Sequence, residues 1–268
     1  MEHIPQQACQ LMNIKLKEVN TMVERRGRPS EQPAVALDKW ELETEDQTWY
    51  FDRSKSPNGC YKVVNKFEKK IAKFFGSPYA VAVDSCTHGL ELCIRYQQIG
   101  VINIPNRTYI SVPFLANKLK IKLEWRNDSW RDCYMINNDF KPIWDAAVLW
   151  KAGSYKPGSL MCISFQYQKH LSLGRGGIIL CDTKEDYIAL KKMSYDGRLP
   201  DIPWRDQNIE SYGYHYYMTP ETAQLGLDKL DEAIKTAPNQ WVVTDWPDLT
   251  KMDVFQEVTE IDPYLQTR

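Results

Sequence analysis

Residues 79–98 read YAVAVDSCTHGLELCIRYQQ, and this stretch decides the fold class. Its first part, Tyr79–Val83, is a short apolar run of strand length, and residues 84–87 are turn and cap types. Residues 88–98 then place apolar side chains at the spacing of an amphipathic helix. A buried strand that leads directly into a helix is the repeating unit of an α/β protein.

The same alternation continues on both sides of this stretch. A helix is predicted over residues 62–75, where Gly76-Ser77-Pro78 ends it. Further predicted elements are short apolar strands and amphipathic helices, at residues 101–105, 110–119, 120–125, 142–145, 160–165, 177–181 and 184–195. We therefore predict an α/β fold with a mainly parallel sheet. In such sheets ligands bind at the carboxyl ends of the strands, so polar residues that follow strands are the candidates for chemistry.

Charge and composition exclude several classes of protein. The 268 residues include 34 basic and 35 acidic side chains, which gives a net charge of −1. A protein that binds a phosphate backbone would carry a basic excess, so no nucleic-acid partner is expected. No apolar run approaches the length of a membrane span, and the first ten residues, MEHIPQQACQ, lack the pattern of a signal peptide. We expect a cytoplasmic protein without a membrane partner.

The cysteines favour reduced thiols rather than disulfides or a metal site. Their number is seven, which is odd, and no pair has CxxC spacing. Several of them lie within apolar runs, where cysteine acts as a small hydrophobic residue. The four histidines do not pair with cysteines at ligand spacing, so no metal is expected.

Four segments at the ends of predicted strands carry candidate site residues. Taken singly, each is unremarkable, because serine and threonine often cap helices and a lone lysine usually faces solvent. Their order along one α/β chain is more informative than any one of them. The segments are Asp84-Ser85-Cys86-Thr87, Thr108-Tyr109, Trp144-Asp145-Ala146-Ala147 and Ser164-Phe165-Gln166-Tyr167-Gln168-Lys169.

These segments belong to six ordered blocks in which the sequence resembles the DegT/DnrJ/EryC1/StrS family of nucleotide-sugar aminotransferases. The blocks span residues 67–76, 79–92, 105–111, 144–147, 164–177 and 213–227. The resemblance implies the large domain of the fold-type I enzymes that use pyridoxal 5′-phosphate (PLP). It also implies an aminotransferase that takes an amino group, with glutamate as the expected donor, and transfers it to a nucleotide-linked keto sugar.

The resemblance assigns roles to individual residues. Lys169 would bind the cofactor aldehyde covalently and move protons during the reaction, and Asp145 would pair with the protonated ring nitrogen of the cofactor. Tyr109 would stack on the ring. The remaining expected cofactor ligands are residues that would hold the phosphate: Ser85, Cys86, Thr87, Ser164 and, from the partner subunit of a homodimer with a shared site, His215.

The sequence pattern and the resemblance together predict the division of the chain. Residues 1–60 are expected to form an N-terminal arm with one helix near residues 8–26, and residues 61–230 the PLP-binding domain. Residues 231–268 would be a short extension in place of the family's C-terminal small domain, which is expected to be reduced or absent.

Two alternatives to the aminotransferase remain open. The first is a homologue that keeps the fold without turnover and serves as a binding or regulatory protein. It is kept open by the short C-terminal extension and by Val148, which stands where the family commonly has a polar residue. The second is a PLP-dependent sugar dehydratase. Lys169 argues against it, because those relatives have histidine at that position.

Overall fold

The computed structural model describes residues 59–137, 141–200 and 202–256. Helices and strands alternate along most of this range, which confirms the predicted α/β class. The helices are α1 (Lys62–Phe75), α2 (Cys86–Tyr96), α3 (Ser111–Leu119), α4 (Lys184–Ser194) and α5 (Pro220–Lys235). The strands are β1 (Tyr79–Val83), β2 (Val101–Pro105), β3 (Lys122–Arg126), β4 (Tyr134–Met135), β5 (Ile143–Asp145), β6 (Leu160–Ser164) and β7 (Gly177–Cys181). The predicted helix near residues 8–26 lies outside the described residues.

The central sheet has the strand order β1-β7-β6-β5-β4, and β2 pairs with β3 in a separate two-stranded sheet. Within the central sheet only β5 and β6 are parallel, whereas the other neighbouring pairs are antiparallel. The expectation of a mainly parallel sheet is therefore corrected to a mixed sheet. Two pairings account for the mixed sheet. Strands β6 and β7 follow each other along the chain and pair antiparallel, and β1 pairs with β7, which is distant in sequence, rather than with a strand reached by a helical crossover.

Local sequence explains where the first elements begin and end. Helix α1 ends at Gly76, which has the left-handed backbone angle φ of 79° and donates its N–H to the Ala72 carbonyl. Helix α2 begins after Ser85, whose hydroxyl accepts a hydrogen bond from the N–H of His88. Strand β1 is buried along nearly its whole length, so the turn that follows it is held against the core.

The core lies on both faces of the central sheet. One apolar cluster joins α1 and α5 to one face, and a second joins α2, α3 and α4 to the other. A buried ion pair ties these layers together, since the amine of Lys191 lies 2.5 Å from a carboxylate oxygen of Glu68. Among the described residues, no helix is long and apolar enough to cross a membrane. The predicted division at residues 60 and 230 stays a prediction, and α5 continues across residue 230.

Candidate active site

The turn between β1 and α2 forms one end of the site. The first amides of a helix have no partner within the helix, so the N–H groups of Cys86 and Thr87 are available to an anion. The Thr87 hydroxyl lies 2.7 Å from the Ser111 hydroxyl, which fixes its position beside this helix end. Strand β7 passes directly behind the turn, where a Cβ atom on Gly177 would lie 2.5 Å from the Cys86 nitrogen. Only glycine permits this close approach of two backbones.

Asp145 ends β5 and lines the same site. The carboxylate is buried and accepts hydrogen bonds from the Tyr134 hydroxyl at 2.5 Å and from the Ala147 N–H at 3.0 Å. Tyr134 is in turn hydrogen-bonded to the hydroxyl of Thr108. Burial raises the pKa of the Asp145 carboxyl, and the hydrogen bonds from Tyr134 and Ala147 act in the opposite direction. This carboxylate is thus held in a fixed orientation in a weakly polar environment.

Lys169 lies in the connection between β6 and β7. Backbone hydrogen bonds from Phe165 to Gly176 and from Tyr167 to Gly174 close this loop, and Lys169 donates its N–H to the carbonyl of Gln166. Burial lowers the pKa of the Lys169 amine, while the negative charge of Asp145 acts in the opposite direction. A lysine with a lowered pKa supplies the neutral amine that attacks a carbonyl group.

One cavity of ≈180 Å³ brings nearly all the predicted site residues together. Its lining includes seven of the eight: Ser85, Cys86, Thr87, Tyr109, Asp145, Ser164 and Lys169. Tyr109 is half-exposed at the mouth, with 53% of its surface accessible, so its ring is free to receive a stacking partner. Ser164 ends β6, and its hydroxyl accepts a hydrogen bond from the Gln166 N–H at 3.3 Å.

His215 lies outside this cavity. It is exposed, and its Nδ1 atom lies 3.2 Å from the carboxylate of Asp196. The role predicted for His215 is directed at the site of a partner subunit, so its position within one subunit does not test it. Among the described residues, no group of histidine, cysteine and carboxylate side chains could hold a metal ion.

Sequence reasoning missed several residues of the site. Tyr134 comes from a strand of two residues, too short to show any periodicity, and its role is evident only from its hydrogen bond to Asp145. Trp241 and Trp246 line the cavity although they lie in the predicted C-terminal extension. The sequence signal for these two residues was weak: two tryptophans lie close together in a segment that is otherwise rich in charged residues. Arg175, also in the lining, donates a hydrogen bond to the Asp84 carboxylate at 2.8 Å.

Comparison with known proteins identifies a matching family. The sequence model of the DegT/DnrJ/EryC1/StrS aminotransferase family matches residues 41–121 and 151–240, which is more than half of the chain. Both parts of the match contain residues of the cavity described above. No curated protein matches the chain in sequence.

Solved structures with a similar fold carry related descriptions. A protein designated a sugar aminotransferase from Streptococcus pneumoniae, in its PLP form, superposes with a TM-score of 0.54 at 16% identity, covering 65% of this chain and 60% of its own. The sugar aminotransferase CalS13 from Micromonospora echinospora gives 0.55 at 13% identity, covering 65% and 61%. DesI, solved with its TDP-sugar product, gives 0.52 at 16% identity, covering 65% and 54%. The chain thus spans between 54% and 61% of the length of these structures.

Proposed function

This chain belongs to the DegT/DnrJ/EryC1/StrS aminotransferase family, and on that premise we propose that it is a PLP-dependent aminotransferase whose amino acceptor is a nucleotide-linked keto sugar. The observation that carries the proposal is the meeting of Lys169, Asp145 and the N-terminus of α2 in one cavity. These groups come from three separate segments of the chain, so their convergence is a property of the fold. The TDP-sugar product in the DesI structure supports a nucleotide-linked sugar as the acceptor.

The donor set of the cavity fits the chemical groups of PLP. The helix end with the hydroxyls of Ser85 and Thr87 suits a phosphate, because its amides and dipole favour negative charge. Asp145 suits a protonated ring nitrogen, because a buried carboxylate gains most from a cation. Lys169 suits an aldehyde, and Tyr109 presents an aromatic face to a ring. When bound, PLP supplies an aldehyde that accepts amino groups and a ring that withdraws electrons.

The side chains of this chain then have separate tasks. Asp145 holds a proton on the ring nitrogen, and the hydrogen bonds from Tyr134 and Ala147 keep its carboxylate oriented for that purpose. The Nζ atom of Lys169 is the group that takes up and returns a proton at the reacting carbon, because its lowered pKa makes the neutral amine accessible. The Trp241 ring lies over this amine, with 4.5 Å between Nζ and the ring centre, and covers one side of it.

The proposal also covers the amino donor, the oligomeric state, the location and the domain bounds. Glutamate is the proposed amino donor, and the proposed assembly is a homodimer in which His215 of one subunit reaches the phosphate site of the other. We also propose a cytoplasmic location and a large domain formed by residues 61–230. The exposed position of His215 leaves its imidazole accessible to a second subunit, which supports the shared site.

The test is to load the full chain with PLP and then add glutamate. We expect the absorbance band of lysine-bound PLP to appear on loading and to be lost when glutamate is added, with release of about one 2-oxoglutarate per bound cofactor. Peptide mass spectrometry after borohydride reduction should place the cofactor on Lys169. A folded protein that binds no PLP at Lys169 would contradict the proposal, and PLP binding without release of 2-oxoglutarate would instead favour a homologue without turnover.

Two variants separate specific from general labelling by PLP. Lys169→Ala should lose the labelled peptide. Lys151→Ala is the matched control, because Lys151 is exposed and does not line the cavity. If Lys169→Ala keeps the same stoichiometry of labelling, another lysine holds the cofactor.

A further inference from the structure

The C-terminal part of the described chain contributes two tryptophans to the wall of the active-site cavity. We refer to residues 241–255 as the C-terminal strap. Trp241 and Trp246 both line the cavity, with ring centres 5.4 Å apart and planes inclined at 31°. Trp246 is buried, whereas Trp241 is only partly buried and so keeps some of its surface accessible.

The strap is fixed to the domain from Trp246 onward. The guanidinium of Arg107 donates a hydrogen bond to the Trp246 carbonyl at 2.8 Å, and the N–H of Leu249 donates to the Asn106 carbonyl at 2.8 Å. Both Asn106 and Arg107 directly follow β2. Further along the strap, the Phe255 ring packs against neighbouring aromatic rings at centre distances of 5.2 and 5.5 Å. These contacts hold the strap against the domain, so its tryptophans are a fixed part of the cavity lining.

A chain of aromatic contacts links the strap to the carboxylate of the site. The Trp130 ring lies 4.9 Å from the ring of Trp246 and 4.9 Å from the ring of Tyr134. Tyr134 donates the hydrogen bond that orients Asp145. Trp246 thus packs on one side against Trp130, which also contacts the tyrosine that orients Asp145, and it contacts the ring of Trp241 as well.

The position of Trp241 over Lys169 determines which part of a substrate can touch it. The Nζ atom of Lys169 lies 4.5 Å from the centre of the Trp241 ring. An atom that reacts at this amine lies within about two contact distances of the indole, because heavy atoms in contact are about 3.5 to 4 Å apart. In a nucleotide-linked sugar the reacting carbon belongs to the sugar ring, and a ribose and a diphosphate separate the base from it. The base therefore cannot occupy this place while the sugar reacts.

We propose that Trp241 is a specificity-determining residue that stacks on the sugar ring of the amino acceptor, with Trp246 as its support. This inference rests on the proposed function, because it assumes that the acceptor is a sugar. The chemistry is suitable because an indole offers a large apolar face, and the C–H face of a pyranose is the apolar side of that ring. The hydroxyl groups of such a ring could bind the polar side chains that also line the cavity, among them Gln166 and Gln168.

The test compares binding of ligands with and without the sugar. The PLP-loaded full chain is titrated by calorimetry with dTDP-glucose and UDP-N-acetylglucosamine, and separately with dTDP and UDP. We expect Trp241→Ala to weaken binding of the sugar nucleotides about tenfold and to change binding of the nucleoside diphosphates less than about twofold. Trp241→Phe should recover most of the loss, because it keeps an aromatic face. Trp204→Ala is the matched control, since Trp204 is 70% exposed and lies outside the cavity lining.

The outcomes distinguish this inference from the proposed function. Equal losses for nucleotides with and without the sugar would overturn it, because a merely structural role of Trp241 affects both. Wild-type protein that binds neither sugar nucleotide more tightly than its nucleoside diphosphate would also overturn it. The proposed function fails on a different observation, the absence of PLP at Lys169 in the wild type, which is measured on the same preparation.

Discussion

Replacement of Gly177 by alanine tests whether the approach of β7 to the N-terminus of α2 is required. The added Cβ atom would lie 2.5 Å from the Cys86 nitrogen, 2.6 Å from the Ser85 carbonyl carbon and 2.8 Å from the Cys86 Cα. Contact distances between such atoms are normally about 3.5 to 4 Å. All three neighbours are backbone atoms, so no side chain can rotate away. Either the end of α2 or the start of β7 must move by about 1 Å.

The expected cost follows from the packing of this region. Overpacking a tightly packed core lowers the free energy of unfolding by about 1 to 3 kcal/mol. We expect Gly177→Ala to lie near the upper limit of this range, because the neighbours of the added Cβ atom are backbone atoms. A loss of about 3 kcal/mol is a large part of the 5 to 15 kcal/mol that stabilises a typical protein. In urea unfolding, with a slope of about 1 to 3 kcal/mol per M, it corresponds to a midpoint lower by about 1 to 3 M. Because the Cys86 amide must move, PLP should also lose part of its affinity advantage over pyridoxal, which has no phosphate.

The assay is urea unfolding monitored by fluorescence, followed by binding of PLP and of pyridoxal to the folded variant. Gly100→Ala is the control, because a Cβ atom there would meet nothing within 4 Å, and its stability should change by less than about 0.5 kcal/mol. If Gly177→Ala unfolds at the same urea concentration as Gly100→Ala and keeps the preference for PLP, the close approach has no energetic consequence and the argument is refuted.

Three further predictions concern the charged groups and the assembly. Asp145→Asn should keep the fold but slow the half-reaction with glutamate by a factor on the order of 100 or more, since an amide gives no counter-charge to the ring nitrogen; near-normal rates would make Asp145 structural. The rate at which Lys169 binds PLP should rise with pH, and the midpoint of this rise should lie below the pKa of an ordinary lysine, which is about 10.4, because burial lowers the pKa of Lys169. A lysine peptide serves as the reference, and an equal midpoint for the peptide and the protein would contradict this prediction. His215→Ala should weaken retention of PLP without preventing its attachment, and light scattering should show a dimer; a monomer that binds PLP tightly would exclude the shared site.

Much of the fold could be predicted because its elements are short and have strong local signals. Strand β1 was predicted at its observed bounds, Tyr79–Val83, since it is an apolar run between a proline and a turn. Helix α2 begins two residues earlier than expected, at Cys86, because the Ser85 cap lets the helix start directly behind it. The direction of the strands could not be predicted in the same way. It depends on which strands pair, and the pairing of β1 with β7 joins segments distant in the sequence.

The residues of the candidate site divide in the same way, into those that lie in a contiguous sequence motif and those that are recognised only by a contact in the folded chain. Lys169 and Asp145 could be named from the sequence because each lies in a contiguous segment that resembles a motif of the family. Tyr134 and Trp241 could not, because each acts only through a contact with a residue remote from it along the chain. Their side chains carry no local pattern that distinguishes them from other aromatic core residues.

Burial acts on the two ionisable groups of the cavity in opposite directions, and this indicates what kind of ligand the site accommodates. It raises the pKa of Asp145 and lowers the pKa of Lys169, so the charged form of each is disfavoured. Tyr134 and Ala147 support the Asp145 carboxylate as neutral donors and the charge of Lys169 also favours it, but burial still raises its pKa. A ligand with a cationic nitrogen at this end would remove most of the penalty for the carboxylate. A ligand whose other end is anionic would meet the N-terminus of α2. The cavity therefore favours a molecule that carries both a cationic and an anionic group, with a carbonyl group near Lys169.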